Sequence, residues 1–321
     1  MTKIVLGGRK KYESVISYLN KNNEDYLIFD MEETKSLVSE QIPNVIYFKK
    51  EDFFSAGPYL RYFEDYQIKP SHIINFRDQK NWIELENNLN RWIFNKSLND
   101  ISKNFIIYKS IQHKICSNLN IPVLPTTGSK IIVKKDAGYS GGTDFYITDN
   151  KFFKEPNTFT QKYIDIDYTI AVHAFVDNNN YWHPYCYHKV NYKDNCPVSS
   201  VSPYLEHTQE LNNYMRILKN KINLPNRFVF WQFVKPKEEN YLYNMDFNCR
   251  PAGGFEAGSY DRDIAEHNVL DYFFNKRIPP NQITFKNEVK CIYNIAQQFG
   301  YSDLTRTVTK INHKTLEVNK I

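Results

Sequence analysis

The chain has 321 residues and a formal net charge of +5, with 41% hydrophobic and 24% charged residues. Such a length and apolar share specify a globular chain of one large or two smaller domains and exclude a disordered one. The slight basic excess is interspersed with acids, which argues against the clustered basic arm of a nucleic-acid binder. Cys116, Cys186, Cys196, Cys249 and Cys291 stand far apart without a CxxC pair, against both a disulfide framework and a structural zinc site. The opening "MTKIVLGGRKK" has too short an apolar run for a signal peptide, and no stretch reaches the length of a membrane span. A soluble, cytoplasmic protein is therefore expected, with neither membrane nor nucleic acid as partner. The abundance of Asn, Lys, Ile and Tyr reads as coding bias rather than chemistry.

In chain order, "KIVLGG" (3–8) is a buried strand ending in two glycines, and "KYESVISYLNKN" (11–22) an amphipathic helix. "YLIFD" (26–30), "NVIYF" (44–48) and "HIINF" (72–76) are three further strands, and "NWIELENNLNRWIFN" (81–95) is a long helix. Strands alternating with helices imply a parallel sheet covered on both faces, α/β in class. Gly7 and Gly8 end the first strand where such sheets bind ligands, but no GxGxxG follows, so no dinucleotide is expected there. The polar "KSLNDISKN" (96–104) reads as a loop and a domain boundary, and "FIIYKSIQHKICSNLN" (105–120) as one helix. Beyond residue 123 the strands grow longer and more aromatic, which implies a mixed α+β region built on antiparallel sheet.

Four stretches carry the chemistry. "VKKDAGYSGG" (133–142) puts Lys134 on a strand that enters a hairpin holding Gly138, Ser140, Gly141 and Gly142. Only glycine lets a main chain approach a phosphate that closely, and a lysine before the glycines differs from the P-loop order, so the segment is a flap or an ordinary tight turn. "FTQKYIDIDYTIAVHAFV" (158–175) is an extended approach, an acidic turn and a second strand. "FVFWQFV" (228–234) alternates, with Phe230, Gln232 and Val234 on one face. In "YNMDFNCRPAGG" (243–254), Asp246, Asn248 and Arg250 recur at a period of two and share a face. An acid, an amide and a guanidinium suit a divalent cation bound beside phosphate, although a solvent-facing strand edge has the same pattern.

In order and spacing these pieces resemble an ATP-grasp ligase over most of the chain. The resemblance implies a small Rossmann-like N-terminal domain (1–100) and an ATP-grasp domain (101–321) of two α+β subdomains, the one with the glycine flap covering about 123–163. It implies ATP as cosubstrate and Mg²⁺, or Mn²⁺ in its place, as the metal. Lys109, before "NIPVLP", matches the first phosphate-contacting lysine of the family, Lys134 the second, and "GYSGG" the flap. "QKYIDID" resembles the hinge, which assigns Gln161, Tyr163 and Ile164 to the nucleotide, the last two through backbone groups facing adenine, and Asp167 to the ribose. "MDFNCRPAGG" resembles the metal strand, with Gln232, Asp246 and Asn248 on the metal, and Arg250 joining Lys134 as a catalytic residue at the acyl phosphate. The sequence departs from the pattern at Lys162, where Glu is usual, in a missing hinge glycine, at Gln232, which stands in place of the first metal carboxylate, and at Asp246, where Glu is commoner.

The implied activity is ADP-forming ligation of a small carboxylate, amino-acid or peptide-like, to an amine through an acyl phosphate. The alternatives are a non-amine acceptor on the same scaffold, or a nucleotide-binding relative without turnover. A homodimer is compatible with either. Of the remaining polar clusters, His188 or Lys189 in "YWHPYCYHKVNY" (181–192), and Tyr260, Asp261 and Arg262, are candidates for the substrate pocket.

Overall fold

The computed structural model describes residues 1–7, 13–33, 44–75, 77, 79–137, 145–149, 155–193, 196–202, 204–250, 270–271, 274, 288–293 and 306–312. The flap residues Gly138, Ser140, Gly141 and Gly142, and the loop residues Tyr260, Asp261 and Arg262, lie outside these. The chain divides into two compact units, Met1–Lys103 and Asn104–Ile321.

The first unit is a parallel sheet of β1 (Thr2–Leu6), β2 (Tyr26–Met31), β3 (Val45–Phe48) and β4 (Pro70–Asn75), in the order β3-β2-β1-β4. All five residues of β1 are buried, as an inner parallel strand requires. Its helices are α1 (Glu13–Lys21), α2 (Lys50–Phe53), α3 (Ala56–Asp65) and α4 (Lys80–Phe94). Helix α4 buries Trp82, Ile83, Leu85, Glu86 and Leu89, an inward stripe at helical spacing. Trp82, Leu85 and Leu89 join Ile4, Leu6, Phe29, Phe53, Tyr59 and Phe63 in one core, where Phe53 meets the Trp82 ring edge-on at 5.0 Å.

The expected loop at 96–104 is only partly irregular, because α5 (Asp100–Ile107) begins inside it. Asn99 Oδ1 accepts the Ser102 N–H at 2.8 Å, a cap that satisfies a donor the first turn would leave open. The single helix expected over 105–120 is also broken. Tyr108 is extended (φ −111°, ψ 121°) and pairs with Ala137, and α6 (Lys109–Asn118) starts anew after it. The break is made by a partner about thirty residues away, so local periodicity carries no trace of it.

The second unit holds two antiparallel sheets. The smaller joins β5 (Ile131–Lys135), β6 (Phe145–Thr148) and β7 (Thr158–Lys162) in the order β6-β5-β7. Lys134 faces Phe145 across the antiparallel β5–β6 pair. The larger sheet comprises β8 (Ile166–Val176), β9 (Trp182–Lys193), β10 (Cys196–Ser202), β11 (Arg227–Pro236), β12 (Tyr243–Asn248), β13 (Glu288–Tyr293) and β14 (Arg306–Asn312). Its order is β12-β11-β8-β9-β10-β13-β14. One face is apolar. Phe105 of α5 packs on Phe247 at 4.8 Å, and Tyr214 of α7 (Thr208–Lys219) stacks on Phe233 at 5.6 Å.

The asparagines do structural work. Among the described residues, nine non-glycine positions have positive φ, and seven are Asn: Asn23, Asn44, Asn95, Asn120, Asn157, Asn180 and Asn226. In a chain with only 11 glycines, Asn supplies the left-handed turns that glycine usually makes.

Candidate functional site

The site forms on the face of the larger sheet opposite the helices. Residues directly opposed in an antiparallel pair share a face. Asp246 opposes Gln232, Gln232 opposes Ala171, and Ala171 opposes His188, so the four make a row across β12, β11, β8 and β9. Asn248 lies two residues from Asp246 on β12, and its Nδ2 donates to Asp246 Oδ2 at 2.9 Å.

Two lysines meet this face from other elements. Lys109, the first residue of α6, donates from Nζ to Asp246 Oδ1 at 2.6 Å, a charge-assisted bond with both side chains largely covered. Lys134, on β5, donates from Nζ to Gln161 Oε1 on β7 at 2.7 Å. Burial pushes the Lys134 ammonium down to about 8, against the attraction of Asp246 and with the repulsion of Lys109. Burial works to raise the Asp246 carboxyl, but Lys109, Lys134 and the bonds from Lys109 and Asn248 outweigh it and hold the group below its usual range. The two cations and one carboxylate are thus an electrostatic cluster with an excess of positive charge, suited to an anion.

The structure therefore brings together Lys109, Lys134, Gln161, Asp246 and Asn248, with Gln232 beside Asp246 in register. Gln232 Nε2 approaches Thr169 Oγ1 at 3.3 Å. Arg250 follows the end of β12 and is buried. Asp167 is exposed on β8. Two residues of the expected hinge have hydrogen-bond partners within the protein. The Gln161 side-chain oxygen accepts from Lys134. Tyr163 donates its N–H to the Lys130 carbonyl at 2.9 Å, which leaves that donor unavailable to a base. Ile164 follows it between β7 and β8.

The His188 and Lys189 alternatives are separated by parity. Lys189 opposes Ile170 and lies on the helix-covered face, where its Nζ sits 4.0 Å from the Tyr168 ring centroid and 5.0 Å from that of Tyr204. His188 shares the Asp246 face and is hydrogen-bonded through Nδ1 to His173 Nε2 at 2.8 Å. Burial pushes His188 down to about 4, and burial with the neighbouring ring lowers His173 too, so both are neutral at pH 7.

Sequence reasoning missed Asp136 and Ser110. The Asp136 carboxylate accepts the Ser110 N–H through Oδ1 and the Ser110 hydroxyl through Oδ2, each at 2.7 Å. The Asp136 carbonyl accepts the Lys109 N–H at 2.9 Å. Its place beside Lys134 in "VKKDAG" was the one signal available, and it does not name a helix 26 residues upstream.

No protein-family model matches this sequence, and no curated protein sequence matches it. Solved structures do. N5-carboxyaminoimidazole synthetase from Staphylococcus aureus, complexed with ADP, superposes with a TM-score of 0.67 at 14% identity, covering 99% of this chain and 93% of that one. The fold is that of the ATP-grasp ligases. Biotin carboxylase from Campylobacter jejuni shares this ATP-grasp fold with a TM-score of 0.64 at 14% identity, over 91% of this chain and 75% of its own. L-amino acid ligase from Bacillus licheniformis does so with 0.64 at 10% identity, over 91% and 79%. This chain has both parallel and antiparallel sheets, in line with the expected α/β and α+β classes. Among the described residues, no helix is long and apolar enough to cross a membrane.

Proposed function

We propose that this chain is an ATP-dependent, ADP-forming ligase that joins a small carboxylate to an amine. The observation that carries the reading is the convergence of Lys109 and Lys134 on Asp246, at the foot of a glycine-containing hairpin, within an ATP-grasp fold. It is supported by structural neighbours solved with ADP or an ATP complex. The parallel order β3-β2-β1-β4 supports taking residues 1–103 as the Rossmann-like domain of this architecture.

In this reading Lys109 and Lys134 hold the nucleotide phosphates, with Gln161 aiming the second lysine. Gly138, Ser140, Gly141 and Gly142, outside the described residues, are assigned by the sequence to supply backbone N–H groups to the phosphates. The Tyr163 carbonyl and the Ile164 backbone face adenine, and Asp167 meets the ribose. Asp246, with the amide oxygens of Gln232 and Asn248, suits a hard divalent cation, Mg²⁺ or Mn²⁺, which would screen phosphate charge. A carboxylate oxygen bonds the γ-phosphorus as its bond to the β,γ-bridging oxygen breaks and ADP leaves, and Arg250 balances the charge of the acyl phosphate. The amine then forms the C–N bond as the C–O bond to phosphate breaks; phosphate leaves with the electron pair and takes up the proton that the amine nitrogen gives up. No side-chain nucleophile is required; the residues position and neutralise.

Gln232 favours a second reading. Among the described residues, no three His, Cys, Asp or Glu side chains group as a metal site, so the cation would rest on one carboxylate. A protein with so weak a metal site could bind nucleotide without turnover. Phosphate release measured across pools of small acids and amines separates the two. The ligase reading expects release that needs both substrates and falls at least a hundredfold in Asp246→Asn. ADP binding without release from any pair supports the second reading.

A further inference from the structure

Asp136 stands where three segments meet. Its carboxylate and carbonyl satisfy the first two N–H groups of α6, those of Lys109 and Ser110. Its own N–H donates to the Asn157 carbonyl at 2.9 Å, just before β7. The N-cap position of α6 is Tyr108, whose side chain makes no cap bond. A helix start without its own cap thus borrows an acid from the hairpin stem, where a negative charge also suits the positive end of the helix dipole. Tyr108 pairs with Ala137, which closes the same junction from the backbone. Asp136 directly follows β5 (Ile131–Lys135), so the strand that carries Lys134 runs straight into the residue that caps the helix of Lys109.

We infer that Asp136 is a positioning residue for nucleotide binding: it clasps the hairpin stem to α6 and thereby holds Lys109 in its place over Asp246. This rests on the ligase reading only in that the lysines bind phosphate. Without the clasp, the first turn of α6 is free to fray, and Lys109 at its tip loses its place over Asp246. The Lys134–Gln161 bond stays within the three-stranded sheet and does not depend on it. The loss should therefore run through Lys109 and not through Lys134.

The test is a double-mutant cycle read by calorimetry with ADP on the full chain. Asp136→Ala should weaken ADP binding about tenfold, the scale of a lost helix cap. In a Lys109→Met background the same change should cost less than about twofold, and in a Lys134→Met background it should keep its full effect. Asp136→Asn retains an acceptor for the Ser110 N–H and should recover part of the loss. Should Asp136→Ala fail to fold, Ser110→Ala, which removes only the hydroxyl donor, enters the same cycle. Equal losses in the wild-type and Lys109→Met backgrounds, or no loss, overturn the inference. If wild-type protein does not bind ADP, the ligase reading itself fails, an outcome distinct from an additive cycle.

Discussion

Lys134 leans on a neutral partner, Gln161, while Lys109 takes the carboxylate. With its ammonium pushed down to about 8 from an ordinary 10.5, the unfolded chain holds the extra proton between those values. Stability should therefore rise with pH through that window, and the cost of burying the ammonium is fully present below it. Nucleotide binding runs the other way, because phosphate needs the charged form. We expect ADP affinity to decline above about pH 8, by at most about tenfold per pH unit, and Lys134→Arg to flatten the decline since guanidinium stays charged. Calorimetry from pH 7 to 9.5 on both proteins checks this; parallel curves would remove Lys134 from phosphate binding. Lys109 carries a second consequence. Both Asp246 oxygens are engaged, one by Lys109 and one by Asn248. Nucleotide phosphate should draw Lys109 away and release the carboxylate. Lys109→Met should then tighten Mn²⁺ binding in the absence of nucleotide, several-fold, while weakening ADP. Electron paramagnetic resonance of free Mn²⁺ measures the first effect, and weaker Mn²⁺ binding would contradict it.

At the scale of the element, caps and turns decide where helices and strands stop. Helix α4 ends at Asn95 in the left-handed region (φ 52°), where the Asn95 N–H donates to the Arg91 carbonyl at 3.1 Å and the Lys96 N–H to the Asn90 carbonyl at 3.2 Å. Asn tolerates this conformation and glycine adopts it freely, whereas a β-branched residue is strained there. Asn95→Gly should change stability by less than about 1 kcal/mol, and Asn95→Val should destabilise by roughly 1–2 kcal/mol. Urea unfolding of the two variants gives the order, and a Val variant as stable as wild type would show that the turn relaxes. Helix α4 itself was legible, since Trp82, Leu85 and Leu89 mark a stripe at helical spacing. The break at Tyr108 was not, because its cause is the bridge to Ala137 and the borrowed Asp136 cap.

Across the whole molecule, what sequence alone determined is whatever depends on near neighbours. The alternation in "FVFWQFV" and the i, i+2 spacing of Asp246 and Asn248 follow from the pleat of a strand, and the lysine before the glycines follows from order along the chain. The family resemblance then marked Lys109 and Lys134 as a pair, although neither contains the reason they meet. Tertiary structure decided everything set by pairing between distant strands. Register placed Gln232 opposite Asp246, and His188 rather than Lys189 on the same face. A slip of one residue in the β8–β9 ladder would have exchanged those two side chains. Gln161 became a partner of Lys134 because β7 pairs with β5, and Asp136 became the cap of α6 because that hairpin stem meets the start of a helix. Local sequence sets which face a side chain shares with its near neighbours; only the closed ladders and the packed helix set which distant groups it meets, because that choice is made by hydrogen bonds between segments far apart in the chain.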